Sequence, residues 1–162
     1  MSIVNVVRVK SITDIQNEII EEFEVYDDWM DKYNYLIEIS RELPFIDPKL
    51  KIKENLINGC QSKVWLNAAY NQGKIDFSAD SDAIITKGIV ALLIRVLSGR
   101  TPAEILNADL FFIDRIGLRQ NLSPTRSNGL LSMIKQMKLY ALAYQTKYQE
   151  KEEGRRKKEE ES

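Results

Sequence analysis

The one thiol of this sequence, Cys60, stands in a turn-like segment between Gly59 and Ser62, and the 162 residues include no histidine. A thiol reacts as its thiolate, and a cation beside it would lower its pKa. The sequence places no strong cation directly beside Cys60, since Lys63 is three positions away. Glycine before the cysteine permits a sharp turn, and Gln61 and Ser62 add hydrogen-bonding groups. The pattern therefore predicts a reactive thiol in an exposed loop, where it can contact a sulfur atom of another protein.

One cysteine and no histidine also remove several kinds of site. An intramolecular disulfide, a zinc site of Cys and His ligands, and Ser–His or Cys–His catalysis are all excluded for this chain alone. The seven glycines are too scattered to build a phosphate-cradling loop. The net charge of −1 disfavours a duplex nucleic-acid binder, and no apolar stretch is long enough to span a membrane. We expect a cytoplasmic, reducing setting, with neither nucleic acid nor membrane as a partner.

Carboxylates are the other groups that could do chemistry, as ligands of a divalent cation or as an acid–base pair. They form three groups: Glu18, Glu21 and Glu22; Asp27, Asp28 and Asp31; and Asp80 and Asp82. The first two groups are expected at helix starts and on exposed faces, where acidic residues favour the helix dipole and solubility. Asp82 differs because it follows a predicted strand and could approach Cys60. A carboxylate-metal hydrolase is therefore one alternative function.

The elements that must position these residues are predicted to form one α+β domain over residues 11–148. An extended arm covers residues 1–10, and a charged, disordered tail covers residues 149–162. Thr13 and Gln16 predict a capping box for the first helix, and Ser123-Pro124 predicts the start of the last. The predicted sheet has three antiparallel strands, with helices from both sequence flanks packed on it. The strands are expected at residues 52–58, 63–70 and 74–80, with turns at 59–62 and 71–73.

The segment Asn58–Leu66 resembles the active loop of the SufE-like family, whose members accept sulfur during iron–sulfur cluster assembly. Three further blocks resemble family motifs in the same order along the chain. They cover residues 33–44, 81–99 and 122–130. The resemblance extends over about residues 13–145.

The resemblance implies that Cys60 accepts sulfane sulfur as a persulfide from a SufS-like, PLP-dependent cysteine desulfurase and stimulates that enzyme. The sulfur would then pass to a SufB-like iron–sulfur scaffold. The desulfurase carries the PLP, so neither a cofactor nor a metal is expected on this chain, and no independent enzymatic turnover is expected. A scaffold would itself need several ligands for iron. The residues implied to support the loop or dock the partner are Gly59, Gln61, Ser62, Asp82 and Arg126.

Two questions stay open from the sequence. Arg126 could instead be a helix-start residue that pairs with a carboxylate. The chain could also be a non-catalytic adaptor whose surface around residues 70–82 docks a partner, with the thiol incidental. If Cys60 does carry a persulfide, we expect the free protein to hide it partly, because an exposed persulfide loses its sulfur to any passing thiol.

Overall fold

The computed structural model describes residues 10–161, so the predicted N-terminal arm lies outside the described residues except for Lys10. Nine regular elements follow in chain order within that range, apart from two short 3-10 turns. They are α1 (Ile12–Glu24), α2 (Trp29–Ser40), β1 (Val64–Asn71), β2 (Lys74–Ser81), α3 (Ile84–Leu97), α4 (Pro102–Asn107), α5 (Phe112–Arg115), α6 (Leu118–Asn121) and α7 (Pro124–Glu161).

The strands β1 and β2 form an antiparallel hairpin with the register Val64↔Ser81 through Asn71↔Lys74. Gln72 and Gly73 make the turn with φ angles of 52° and 82°, the left-handed backbone that a two-residue hairpin turn favours. The predicted turn at 71–73 is confirmed. The alternation in β2 is confirmed as well, because Ile75, Phe77 and Ala79 are buried.

The prediction of a third strand over residues 52–58 is wrong, since the sheet formed by the described residues has two strands and this segment is not one of them. That segment contains a 3-10 turn at Lys53–Asn55 and meets β1 through a single bridge between Leu56 and Trp65. Further along this edge of β1, two carbonyl groups have side-chain partners from α7. Tyr140 and Tyr144 donate their hydroxyls to the carbonyl oxygens of Leu66 and Ala68, at 3.5 and 3.1 Å.

The other edge of the hairpin is covered by the segment that follows α3. Ile75 donates its N–H to the carbonyl of Arg100 at 2.8 Å and accepts from the N–H of Gly99 at 2.7 Å. Two positions along, the N–H of Phe77 donates to the Ser98 hydroxyl at 2.9 Å. Buried polar groups of β2 are thus satisfied without another strand.

The helix α3 is the centre of the core. Ten of its residues are buried, including Ile89, Leu92 and Val96. It packs against α2, the hairpin, α1 and α7. Helix α3 follows β2 directly, and α7 packs on α3 and β1. The start of α3 and the first turns of α7 therefore both lie beside the connection into β1.

Two details at helix ends differ from the sequence predictions. The capping box of α1 is formed by Ser11 and Asp14 instead of Thr13 and Gln16. Gln16 is buried and bridges to a later part of the chain, donating to the carbonyl of Asp109 and accepting from the N–H of Phe112. A polar side chain with a buried long-range role cannot be told from a cap by spacing alone.

The last helix continues through the charged segment that the sequence predicts to be a disordered tail. Residues 149–161 are helical, and Arg155 pairs with Glu152 at 2.8 Å, one turn apart. Glu, Lys and Arg are good helix formers, and pairs at this spacing favour the helix further. None of the helices within residues 10–161 combines the length and apolar character that crossing a membrane requires.

Candidate functional site

A cavity of about 300 Å³ lies between the connection that precedes β1, the start of α3 and the first turns of α7. Five of the six residues implied by the sequence line it; the sixth, Gly59, sets the backbone next to it. The lining residues are Cys60, Gln61, Ser62, Asp82, Ala83, Thr86, Ile89, Thr125, Arg126, Gly129 and Met133.

The Cys60 thiol is half-buried at this cavity. Its Sγ lies 3.6 Å from the carbonyl oxygen of Gly129 and donates to it. Burial raises the pKa of the Cys60 thiol, because the thiolate would lose hydration there. Both effects favour the protonated thiol over the reactive thiolate in this conformation.

Gly59 and Gly129 let the chain pass close to α7. Gly59 has a φ of +93°, which side-chain-bearing residues rarely adopt, and a Cβ there would come within 2.5 Å of the Ser132 hydroxyl oxygen. A Cβ on Gly129 would sit 3.4 Å from the sulfur of Cys60. Residues 59–63 form a segment that we call the Cys60 loop. Glycine at position 59 avoids backbone strain and a clash in this loop, whereas a Cβ at position 129 would make an ordinary van der Waals contact with the sulfur.

The far end of the Cys60 loop is anchored by the turn before α3. Asp82 accepts the backbone N–H of Lys63 on its Oδ1 at 2.9 Å. The carbonyl of Lys63 in turn accepts from the Ser81 hydroxyl at 2.9 Å and from the N–H of Asp82 at 3.2 Å. Asp82 thus fixes the loop through its backbone, and its position agrees with a supporting role.

Inside the loop, Gln61 is exposed, whereas Ser62 faces the protein. The hydroxyl oxygens of Ser62 and Thr86 lie 3.2 Å apart and share a hydrogen bond. Thr86 is on the first turn of α3 and is 6% exposed. A buried hydroxyl needs such a partner, so this bond ties the loop to α3.

Arg126 is exposed at the mouth of the cavity, on the first turn of α7. Its Nη1 donates to the hydroxyl of Tyr33 at 3.3 Å, and its backbone N–H donates to the Ser123 hydroxyl. Among the described residues, the partner of the guanidinium is therefore the Tyr33 hydroxyl on α2. The carboxylate partner considered from the sequence is not found. The charge is left to face the cavity mouth.

Sequence reasoning missed Thr86, Gly129 and Met133, each of which lines the cavity. Gly129 and Met133 follow Arg126 by three and seven positions on α7, and such spacing places side chains on one helix face. This helical spacing is the sequence signal that could have identified Gly129 and Met133 as neighbours of Arg126. Nothing local to Thr86 marks it, because its partner is 24 positions away in the chain.

The carboxylates have local uses. Asp28 caps α2, Glu22 pairs with Arg95 at 2.5 Å, and Asp80 pairs with Lys51 and Lys87 at 3.1 and 3.3 Å. Across residues 10–161 no three of the Cys, Asp and Glu side chains come together in a way that could hold a metal ion.

Comparison with known families gives one description. The family described as "SufE: Fe-S metabolism associated domain" matches residues 17–141. The match begins inside α1 and ends in α7 after its contacts with Cys60, so it takes in the whole site. The charged part of α7 lies beyond it.

Curated relatives carry the same family name. The chain is 40% identical over 134 residues to "SufE-like protein 1, chloroplastic/mitochondrial" of Arabidopsis thaliana, covering 82% of this chain and 36% of that protein. It is 41% identical over 128 residues to an uncharacterized SufE-like protein of Rhizobium etli, covering 75% of this chain and 86% of that one. The chain thus spans about a third of the plant relative and most of the bacterial one.

A solved structure supports the fold. The solution structure of a hypothetical protein from Thermus thermophilus superposes with a TM-score of 0.68. It covers 82% of this chain and 96% of its own, at 20% identity. At that identity the likeness concerns the architecture alone.

Proposed function

The chain belongs to the SufE family, whose domain is associated with iron–sulfur metabolism, and from that premise we propose that it transfers sulfur through Cys60. In this proposal Cys60 accepts sulfane sulfur as a persulfide from a PLP-dependent, SufS-like cysteine desulfurase and stimulates that enzyme. It then passes the sulfur to a SufB-like scaffold on which iron–sulfur clusters are assembled.

The transfer step needs no cofactor on this chain. The Cys60 thiolate attacks the terminal sulfur of a persulfide on the donor cysteine, and a new S–S bond forms. The S–S bond of the donor breaks, its electron pair stays on the donor sulfur as a thiolate, and the proton of the donor's terminal S–H stays with the transferred sulfur. The acceptor becomes a persulfide and the donor a thiolate, without an external oxidant or reductant. PLP chemistry belongs to the desulfurase, so this chain acts as its partner and has no turnover of its own.

The observation that carries the proposal is the placement of Cys60 beside a 300 Å³ cavity on a loop that begins with a left-handed glycine. The cavity gives space next to the sulfur, and its half-burial shields an attached sulfur from small thiols. Because burial also raises the pKa of the thiol, a turn of the loop toward a partner would favour the reactive thiolate. Gly59 permits that turn.

The residues around Cys60 take supporting roles in this proposal. Asp82 holds the Lys63 end of the loop, and Ser62 holds its middle. Arg126 and the exposed Gln61 face outward, where they can contact the docked desulfurase. A cytoplasmic setting, expected from the sequence, would keep Cys60 reduced between transfers.

The test is incubation of the full chain with a SufS-like desulfurase and cysteine, followed by mass spectrometry of intact protein and peptides. We expect one added sulfur on the peptide that contains Cys60, removed by dithiothreitol. Cys60→Ser should gain none and should not stimulate the desulfurase. If Cys60→Ser stimulates as well as the unchanged chain, and no persulfide forms, the chain is a docking adaptor instead.

A further inference from the structure

The Cys60 loop is firmly held at one end and lightly held over the rest. Lys63 makes three hydrogen bonds through its backbone, with Asp82 and Ser81 as partners. The segment Gly59–Ser62, which we call the inner loop, contains the sulfur and precedes this anchor. Any outward turn of Cys60 must therefore move the inner loop while Lys63 stays in place.

Two side-chain hydrogen bonds hold the inner loop within the described part of the chain. One joins the Cys60 sulfur to the Gly129 carbonyl at 3.6 Å, and the other joins the hydroxyls of Ser62 and Thr86 at 3.2 Å. A thiol is a weak donor, whereas two hydroxyls make an ordinary hydrogen bond. The contact with Thr86 is thus the stronger of the two.

The burial of Thr86 makes this contact costly to break. Thr86 is 6% exposed, and Ser62 is its hydrogen-bond partner. An outward turn of the inner loop would bring Ser62 to water and would leave the Thr86 hydroxyl on α3 without that partner. A hydroxyl that loses its hydrogen-bond partner away from bulk water destabilises the state in which the loss occurs. The penalty falls on the outward state and so favours the inward one.

The balance changes when Cys60 carries a persulfide. The inner sulfur of a persulfide is bonded to carbon and to the second sulfur, so it has no hydrogen to donate to Gly129. The bond from the Cys60 Sγ is then gone, and of the two hydrogen bonds described above the one between Ser62 and Thr86 is kept.

We propose that Thr86 is the positioning residue that holds the Cys60 loop inward, and that it is the main hold on the loop once the sulfur is loaded. The second half of this statement rests on the proposed function, whereas the first half concerns the free protein alone. Thr86 acts through Ser62 and not on the sulfur itself.

The first test measures how fast iodoacetamide alkylates Cys60 in the full chain, as a function of pH. Thr86→Val keeps the shape of the side chain and removes its hydroxyl. Loss of a hydrogen bond worth about 0.5–1.5 kcal/mol predicts an alkylation rate roughly two- to tenfold higher. Thr86→Ser restores the hydroxyl and should restore the original rate.

Two further variants separate this role from general loosening of the fold. Thr146→Val removes an exposed hydroxyl that bonds the Leu142 carbonyl elsewhere on α7, and it should leave the rate unchanged. Ser62→Ala should match Thr86→Val, and combining the two should add nothing, because both remove one bond. An unchanged rate in Thr86→Val, or additive effects, would overturn the proposal. If Thr86→Val does not fold, Ser62→Ala alone decides it in the same way.

The second test uses protein loaded by a desulfurase and cysteine and then separated from them. Dithiothreitol reduces the persulfide to the Cys60 thiol and sulfide, and is itself oxidised to its cyclic disulfide. We expect sulfide release from Thr86→Val to be accelerated by a larger factor than its alkylation. If Thr86→Val accelerates sulfide release and alkylation by the same factor, Thr86 does not hold the loop more strongly in the loaded state, and that half of the proposal is wrong. If neither form acquires sulfur, the proposed function fails, while the alkylation result still decides the role of Thr86.

Discussion

The hydroxyl oxygen of Ser132 lies 2.5 Å from the point where a Cβ on Gly59 would be. A side chain at position 59 would therefore displace the Ser132 hydroxyl on α7, in addition to the limit set by the φ of +93°. The two limits can be separated experimentally, because another glycine in the chain has one of them without the other.

We predict that Gly59→Ala destabilises the protein more than Gly73→Ala. Both glycines have positive φ, at 93° and 82°, but a Cβ on Gly73 would meet nothing within 4 Å. The shared backbone cost is about 1–2 kcal/mol, and the contact with Ser132 adds to it in Gly59→Ala alone. Urea denaturation measures both. Adding Ser132→Ala should recover the difference; equal costs for the two glycine variants would rule out the contact.

Gly129→Ala should separate stability from sulfur acceptance. Alanine in the helix is favoured over glycine by about 0.8–1.0 kcal/mol, so the melting temperature should rise or hold. The new Cβ would lie 3.4 Å from the Cys60 sulfur, and we expect persulfide formation to slow because it takes space beside that atom. Gly154→Ala lies on the same helix with nothing within 4 Å and serves as the matched control. Unimpaired loading in Gly129→Ala would show that this side of the sulfur is not used.

Asp82→Ala should loosen the Lys63 end of the loop, whereas Asp82→Asn should largely keep it. Asparagine retains an acceptor for the N–H of Lys63, now 2.9 Å from Oδ1, and alanine does not. A bond of this kind contributes about 0.5–1.5 kcal/mol. Amide hydrogen exchange at Lys63 is the direct measurement, with faster exchange expected in Asp82→Ala. If the two variants exchange equally fast, the charge of Asp82 matters and its acceptor oxygen does not.

The pH dependence of stability should carry a contribution from Cys60 of predictable sign. Burial raises the pKa of the native thiol, so between the unfolded value of about 8.5 and the higher native value the folded protein binds more protons. The stabilisation is complete below about pH 8.5 and is lost as the pH rises through the native pKa. Urea denaturation from pH 7 to 10 should show the unchanged chain losing stability relative to Cys60→Ala. A constant difference across that range would contradict the burial of the thiol.

The local parts of the site could be predicted from the sequence, whereas its long-range parts could not. The turn at 71–73 and the loop around Cys60 depend on glycines and on alternation, which act between neighbouring residues. Thr86 and Gly129 depend on helices that meet the loop only in the folded chain. Their partners are 24 and 69 positions away.

The prediction of a third strand failed for the same reason. Residues 52–58 have the composition of a strand, but the carbonyl groups of β1 that such a strand would bind are taken by Tyr140 and Tyr144. The tyrosines lie more than 70 positions along the chain from those groups. A sequence pattern can show that a segment is suited to a sheet, but it cannot show that the hydrogen-bonding groups of the neighbouring strand already have other partners.

The tyrosine hydroxyls also bear on how the protein behaves among other proteins at high concentration. A two-stranded hairpin normally exposes backbone groups that can template intermolecular β-pairing, the first step of edge-to-edge aggregation. Here Leu66 and Ala68 on one margin, and Ile75 and Phe77 on the other, already have partners within the chain. Pairing of the hairpin with a strand of another molecule is therefore disfavoured at these positions, which counts against aggregation through its edges.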